Sequence, residues 1–321
     1  MRRIKKCTVF LLLLCLLLNL AGCAAAQKPL RVTLVLKTVT AVAEFWGTLL
    51  SGVEKAAEEY GVELKVLTSP REIDIDKQIE LIRQVTADKP DVMILSAADY
   101  DRCAEATEEA IAAGIGVVAI DTDVNAAGRA CFVGSNSYEI GLEMGRAMAS
   151  YLPEGGKVAV IQHMLTTTTG IERTRGVLDA LNEAGNIEIL GSFCCDNSTE
   201  QAQTITTELL SADPEIRGFV CTNEVCNVGA ANALVELGMG GRVYVVGCDN
   251  SQRQIQFLEQ NIIQAIVTQR PFNMGYVAVQ QAVRVANGEQ TDDFVEVSCV
   301  LITRENMYTQ ENQKLLFPVL R

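Results

Sequence analysis

Short β-prone runs alternate with amphipathic helical stretches along almost the whole chain from Leu30 onward. Each run is typical of a buried strand, and the helical stretches carry apolar residues at three- and four-residue spacing, as between Phe45 and Tyr60. Gly or Pro marks many of the ends, for example Gly61 and Pro90. Strict alternation predicts an α/β fold with parallel, doubly wound sheets covered by helices on both faces.

The alternating series is too long for a single sheet, and it restarts near Lys157 after a helix. Two Rossmann-like lobes are therefore predicted, with functional residues beyond the carboxyl ends of the strands. The predicted strands are 31–36, 63–67, 92–95, 116–120, 157–161, 187–191, 218–221, 243–246 and 265–267. The predicted helices are 45–60, 76–87, 104–113, 139–151, 170–184, 200–211, 225–237 and 274–286.

The N-terminus has the pattern of an export signal. A basic start precedes an apolar run over 8–20, which is shorter than the roughly 20 residues that span a bilayer. The run ends in Leu20-Ala21-Gly22-Cys23, which resembles the lipobox of bacterial lipoproteins. This resemblance implies cleavage after residue 22 and lipidation of Cys23, whereas an ordinary signal peptide with an incidental Cys is the alternative.

Net charge excludes two classes of partner. Removal of residues 1–22 takes away four basic side chains and no acids, which moves the formal charge from −13 to −17. So acidic a surface does not bind nucleic acid or anionic lipid nonspecifically. Membrane attachment is therefore assigned to acyl chains on Cys23, with 23–29 as a tether.

The cysteines and histidine give no metal or cofactor motif. Of eleven Cys, eight remain after the signal and Cys23 are set aside, and many lie in apolar strand-like runs where a free thiol acts as a small hydrophobe. Reduced thiols are favoured over disulfides, and neither a metal nor a cofactor is expected. Nucleotide-binding and serine-hydrolase motifs are also missing from the sequence, so an enzyme is not predicted.

A series of motifs shares its order and spacing with one family. They are Phe45-Trp46, Pro90-Asp91-Val92-Met93-Ile94-Leu95-Ser96, Ile120-Asp121-Thr122-Asp123, Glu172-Arg173-Thr174-Arg175-Gly176, Cys221-Thr222-Asn223-Glu224, Val246-Gly247-Cys248-Asp249 and Thr268-Gln269-Arg270-Pro271. Together, over residues 30–303, they resemble the ribose-binding-protein group of type 1 periplasmic binding proteins. The resemblance implies two lobes joined by a hinge of three crossings, in a substrate-binding lipoprotein of a sugar ABC transporter.

The same resemblance implies the ligand site. Aromatic rings suit the weakly apolar faces of a sugar, and planar polar side chains suit its hydroxyls. The implied roles are an aromatic wall for Phe45 and Trp46, acceptance from ligand hydroxyls for Asp121, donation to a hydroxyl or ring oxygen for Arg173, and contacts of the second lobe and hinge for Asn223, Asp249 and Gln269.

Four positions depart from the pattern of ribose binders. Thr122 stands where those proteins carry Arg, Ser96 stands where they carry Asn, and Asn197 and Cys248 occupy two aromatic positions. Ser96, Thr122 and Asn197 are kept in the predicted ligand site. The differences predict a larger, modified or less planar polyol instead of a simple pentose.

Each assignment also has a purely structural alternative. An N-cap or turn after a strand is the alternative for Asp121 and Asp249. A helix start that faces the core is the alternative for Phe45 and Trp46, and a solvated helix charge is the alternative for Arg173. His163 follows a predicted strand near the cleft, where a hydrogen-bonded loop residue is the alternative to a ligand contact.

The lobes are predicted to comprise 30–135 with 270–297, and 136–269 with 298–321. The predicted protein is a monomeric, extracytoplasmic lipoprotein that binds a sugar or related polyol between these lobes and delivers it to an ABC permease. A sensing receptor that passes its closed form to a membrane histidine kinase or chemoreceptor is the alternative. The export signal, in place of a helix-turn-helix, argues against a repressor.

Cys23→Ala tests the lipidation hypothesis. Without the acceptor thiol the chain gains no acyl group, so the variant is expected to leave the membrane and to partition into the aqueous phase on detergent phase separation. A variant that stays as membrane-bound as the wild type would show that the Leu20–Cys23 motif does not direct anchoring.

Overall fold

The computed structural model describes residues 28–38 and 44–317. The predicted export signal and lipidation site lie outside these residues. Within the described part, no helix has the length and apolar character needed to cross a membrane.

A first sheet of six parallel strands forms one lobe. Its strands are β1 (Arg31–Leu36), β2 (Glu63–Thr68), β3 (Val92–Leu95), β4 (Gly116–Ile120), β5 (Cys131–Gly134) and β11 (Phe294–Glu296), in the spatial order β11-β5-β4-β3-β1-β2. Its helices are α1 (Glu44–Tyr60), α2 (Ile75–Asp88), α3 (Ala104–Ala112) and α9 (Pro271–Ala286). Along β1, Leu34 and Val35 point into different apolar clusters, so the sheet is covered on both faces.

The second lobe repeats this order around a second sheet. Its strands are β6 (Gly156–Gln162), β7 (Ile187–Cys194), β8 (Ile216–Cys221), β9 (Tyr244–Cys248), β10 (Ala265–Thr268) and β12 (Val300–Thr303), in the order β12-β10-β9-β8-β6-β7, and only β12 runs antiparallel to its neighbour. The helices are α4 (Ser137–Tyr151), α5 (Thr168–Ala184), α6 (Thr199–Ala212), α7 (Glu224–Glu236), α8 (Gln252–Glu259) and α10 (Gln310–Leu316).

The chain changes sheet at three places. These are the segments between β5 and α4, between β10 and α9, and between β11 and β12. The predicted α/β fold of two lobes with parallel-dominated sheets is confirmed. The exact lobe limits drawn from the sequence stay a prediction.

Five elements were not predicted from the sequence. The strands β5, β11 and β12 are three or four residues long, and β11 and β12 are edge strands of their sheets. The helices α8 and α10 have only eight and seven residues, about two turns each. The long, periodic elements agree with the predicted ones to within about three residues at each end, the usual uncertainty of boundaries.

In each lobe two helices cross closely at glycines, which lie against backbone carbonyl groups of the other helix. A methyl group on Gly52 of α1 would overlap the carbonyl oxygen of Phe272, and one on Gly275 of α9 would overlap that of Leu49. In the second lobe, Gly141 of α4 lies in the same way against the carbonyl oxygen of Arg173 in α5. These contacts set the distance between helices that carry cleft residues.

Gly141→Ala is expected to destabilise the protein by about 1–3 kcal/mol, because the added methyl forces α4 and α5 apart. The matched control is Gly47→Ala in α1, where the methyl meets nothing within 4 Å and the higher helix propensity of Ala should be neutral or slightly stabilising. Urea denaturation followed by circular dichroism measures both. Equal stabilities of the two variants would contradict the close crossing.

Candidate functional site

The carboxyl ends of strands from both sheets face one narrow cavity of about 50 Å³ between the lobes. Side chains of both lobes line it, as expected for the open end of parallel sheets. The predicted ligand residues among them are Phe45, Trp46, Asp121, Arg173, Asn197, Asn223, Asp249 and Gln269. The structure therefore brings together residues that lie up to 224 positions apart in the chain.

Ser96 and Thr122 are placed behind this cavity and not on its wall. Both are fully buried, and their hydroxyl oxygens lie 3.1 Å apart. Thr122 Oγ1 also donates to the carbonyl oxygen of Ala97 at 2.7 Å. Because their hydrogen-bonding capacity is used inside the first lobe, they support the turn that carries Asp121.

The aromatic wall stands on the first turn of α1. Phe45 and Trp46 meet edge to face, with ring centroids 5.1 Å apart and planes at 86°. Trp46 is only 5% exposed and packs into the core of the first lobe, while it also borders the cavity. Trp46 therefore packs in the core and borders the cavity at the same time. For this residue the core interpretation and the ligand-binding interpretation are compatible.

Asp121 and Asp249 occupy equivalent places in the two lobes. Each directly follows a strand, β4 or β9, and each has left-handed backbone geometry, with φ of 63° and 73°. Aspartate tolerates this conformation better than most residues, which explains why a sharp turn leaves an acidic side chain at the strand end. Asp121 and Asp249 therefore form turns after their strands and also line the cavity, so both interpretations from the sequence agree with the structure.

Lys37 and Glu72 are the main residues of the cavity that the sequence analysis missed. Lys37 follows β1 directly, and its ammonium nitrogen lies 2.6 Å from Glu72 Oε1 and 3.4 Å from Asp121 Oδ2. The ammonium is also 5.5 Å from the centre of the Trp46 ring. The expectation that functional residues follow strand ends applies to Lys37 and would have found it.

The ionisation of this group reflects opposing effects. Burial disfavours the charged ammonium of Lys37 most strongly, but the carboxylates of Glu72 and Asp121 outweigh it, so the pKa of Lys37 lies above its ordinary value. The pKa of Asp121 is also raised, because its burial outweighs the nearby charges of Lys37 and Arg173. Lys37 is therefore held as a cation deep in the cleft, with Glu72 as its nearest counter-ion.

Arg173 supplies the strongest donor of the second lobe. It lies in the first half of α5, is buried, and its Nη1 donates to the carbonyl oxygen of Thr222 at 2.9 Å. Its Nε is buried with no hydrogen-bond partner in the described part of the chain. A buried guanidinium with a free donor is costly unless something binds there, so the geometry suits an oxygen-rich ligand.

A chain of amides and carboxylates connects the rest of the wall. Asn197 Nδ2 donates to Glu72 Oε2 across the cleft at 2.7 Å, and Asn223 Nδ2 donates to Asn197 Oδ1 at 2.8 Å. Gln269 Nε2 donates to Asp249 Oδ1 at 2.9 Å. Asn223 also caps α7, since its Oδ1 accepts from the backbone N–H of Cys226. These bonds fix the direction in which each side chain presents its remaining donors and acceptors.

Two further titratable residues border the cavity, and burial favours the neutral form of each. Burial, with the nearby Arg173 and Lys37 charges, holds the pKa of His163 well below its ordinary value. Its Nδ1 lies 2.7 Å from Thr222 Oγ1, so the hydrogen-bonded interpretation of His163 is supported alongside its cavity position. Burial and the charge of Asp249 raise the pKa of Glu224 to about 8.

The arrangement defines a class of protein. Two lobes with the same strand order enclose a cavity lined by an aromatic wall, carboxylates, a guanidinium and amides, which is the donor and acceptor set for a small polyhydroxylated molecule. In the described residues, no group of three or more His, Cys, Asp and Glu is arranged to hold a metal ion. The geometry is that of a two-lobed ligand-binding protein.

Comparison with known proteins assigns the family. The model of the periplasmic binding protein domain matches residues 34–290, and the chain belongs to this family, in its ribose-binding-like group. It is 25% identical over 303 residues to the D-allose-binding periplasmic protein of Escherichia coli (strain K12), covering 90% of this chain and 96% of that protein.

Two other relatives give the same assignment. The D-ribose/D-allose-binding protein of Pseudomonas aeruginosa is 26% identical over 289 residues, covering 86% of this chain and 89% of that one. The crystal structure of an ABC transporter periplasmic solute binding protein from Actinobacillus succinogenes, with bound D-allose, superposes with a TM-score of 0.80 at 26% identity, covering 87% of this chain and 98% of that one. The family resemblance predicted from the sequence motifs is confirmed.

Lys37→Met is expected to lower the free energy of unfolding by about 3–5 kcal/mol, since it leaves Glu72 and Asp121 buried without their counter-ion. Lys55→Met is the matched control, because Lys55 also pairs with two carboxylates but on an exposed face of α1. The control should show no measurable change in urea denaturation at neutral pH. A loss no larger than that of the control would mean that Lys37 is not held in this pair.

Glu224→Gln is expected to remove a dependence of stability on pH. The folded protein keeps the Glu224 proton up to a pKa of about 8, while the unfolded chain releases it near 4.5, so wild-type stability falls as pH rises between these values. The variant should therefore be more stable than the wild type at pH 8 and equally stable below pH 4.5. Thermal denaturation of both proteins across this range measures the difference, and a difference independent of pH would contradict the raised pKa.

Proposed function

We propose that the protein is an extracytoplasmic solute-binding lipoprotein, held at the membrane through Cys23, that delivers a sugar or related polyol to an ABC permease. It acts as a monomer and catalyses no reaction on its ligand. The observation that carries the proposal is the convergence of buried charged and aromatic groups from both lobes on one cavity. Relatives named for binding D-allose and D-ribose support a sugar as the ligand class.

Each group in the cavity has a role towards such a ligand. Phe45 and Trp46 cover the C–H face of the ring. Asp121 and Asp249 accept from hydroxyls of the ligand, while Arg173 donates to a hydroxyl or ring oxygen through its free Nε. Lys37 joins the predicted ligand residues as a second cationic donor. Ser96 and Thr122 act on the ligand only through the backbone turn that they support.

Reversible closure of the lobes is the proposed delivery step. A small set of direct hydrogen bonds joins the two sides of the cleft. The backbone N–H groups of Tyr100 and Asp123 donate to the carbonyl oxygen of Thr166 and to Thr168 Oγ1, both at 3.0 Å. Others run from Thr166 Oγ1 to the carbonyl oxygen of Ala98, from the backbone N–H of Gln252 to Glu44 Oε1, and from Asn197 Nδ2 to Glu72 Oε2. A small polar contact of this kind opens at low cost, and the three crossings between the sheets provide the hinge. Ligand that bridges both walls shifts the balance towards the closed form that the permease recognises.

A thermal-shift screen of sugars and polyols, read together with intrinsic fluorescence, tests the proposal. A ligand that binds only the folded state stabilises it by about 2.7 kcal/mol at 100 times Kd. Trp46 is the only Trp of the chain, so a true ligand should also give a saturable change in indole emission. If no sugar or polyol in a broad panel stabilises the protein, the proposed ligand class is wrong.

Variants then locate the binding site for any ligand found. Asp121→Asn should lower affinity by about 1.5–3 kcal/mol, because a charge-assisted hydrogen bond to ligand is lost. Asp292→Asn is the control, since Asp292 is exposed and lies outside the cavity. Trp46→Ala should weaken binding and remove the emission signal. Calorimetry that gives full affinity for Asp121→Asn and Trp46→Ala would place the site elsewhere.

A further inference from the structure

A second and wider cavity, of about 440 Å³, adjoins the inner one. The two cavities share Phe45, Glu224 and Asp249 in their linings, so the wall that faces the sugar site continues directly into the outer space. The outer cavity alone has a volume within the range of about 300–1,000 Å³ that proteins use to hold whole small-molecule ligands. The inner cavity, at about 50 Å³, is smaller than a sugar ring, so a ring enters it only when the lobes lie further apart than in this structure.

Both lobes build the outer cavity. The first lobe contributes Thr48 of α1 and Phe272 and Asn273 at the start of α9. The second lobe contributes the helix α10, including Leu315, whose carbonyl oxygen accepts from Asn250 Nδ2 at 3.2 Å. The outer cavity therefore lies between the two lobes, as the inner one does.

The lining of the outer cavity combines aromatic faces with polar groups. Phe45 and Phe272 provide rings, while Asn250 and Asn273 provide amides. Arg270 lies 3.9 Å from Glu311 through its Nη2, and its Nε is a buried donor with no hydrogen-bond partner among the residues that the structure describes. An unsatisfied donor beside aromatic faces suits an occupant that has both C–H faces and oxygen acceptors.

We propose that the outer cavity is a subsite for a second sugar unit, so that the natural ligand is a disaccharide whose other unit occupies the inner cavity. This inference rests on the proposed function and narrows its substrate class. The glycosidic link passes along the wall shared by Phe45, Glu224 and Asp249, and Arg270 Nε donates to an oxygen of the outer ring.

Isothermal titration of the full-length protein with a panel of disaccharides, each beside its two component monosaccharides, tests the subsite. The probes are lactose, maltose, cellobiose and xylobiose, with D-glucose, D-galactose and D-xylose, and D-allose serves as a further single-unit sugar. The subsite predicts that a disaccharide binds about tenfold more tightly than either of its components, because the outer ring adds contacts.

Two variants assign the effect to the outer cavity. Thr48→Trp fills it and should abolish the advantage of the disaccharide while leaving the affinity for the single-unit sugar unchanged. Arg270→Lys removes the Nε donor and should reduce the same advantage by a smaller factor, which covers the case that Thr48→Trp fails to fold. The control is Thr204→Trp, at an exposed helical position on α6 outside the lining of both cavities, which should bind both sugars as the wild type does.

The outcomes separate this inference from the function on which it rests. Binding of a monosaccharide without binding of any disaccharide overturns the subsite and leaves the proposed function standing. Tight disaccharide binding that both variants retain also overturns it, since the second ring then lies elsewhere. If neither kind of sugar binds, the proposed function itself fails.

Discussion

The buried ammonium group of Lys37 is the interaction on which the cleft depends. A charge so deep in the protein is stable only with close counter-ions, and Glu72 and Asp121 provide them from loops that follow two other strands of the same sheet. Glu72 in turn receives a hydrogen bond from Asn197 of the opposite lobe. One ion pair thus fixes the inner wall of the first lobe and links it to the second.

The two lobes share one architecture, and this explains how the other cavity residues come to lie near Lys37. Both sheets have the same strand order, and in each a left-handed aspartate ends a central strand and points at the cleft. In both lobes a glycine contact brings together two helices, α1 with α9 and α4 with α5. These helices carry Phe45, Trp46 and Arg173, so tight helix packing sets the position of the aromatic wall and the guanidinium.

Much of this architecture follows from the sequence because long elements bear strong periodic signals. The two lobes and the strand-end aspartates are visible in the order of strands, helices and motifs, whereas the three crossings were implied by the family resemblance. Glu72 was missed because pairing between a strand end and a distant loop leaves no local pattern, whereas Lys37 directly follows β1 and the strand-end expectation would have found it. The sequence also could not show that Ser96 and Thr122 are buried behind the cavity. A hydroxyl residue at the end of a strand can face the cleft or the layer behind it, and the local sequence is the same in both cases.

A crystal structure of the protein with the sugar that most stabilises it tests the central claim most directly. The claim is that the charged cavity between the lobes holds a polyhydroxylated ligand. The predicted result is a sugar ring against Trp46, with hydroxyl oxygens within hydrogen-bond distance of Lys37, Asp121 and Arg173. A sugar bound outside the cleft, or in the cleft without contact to any of these charged groups, would contradict it.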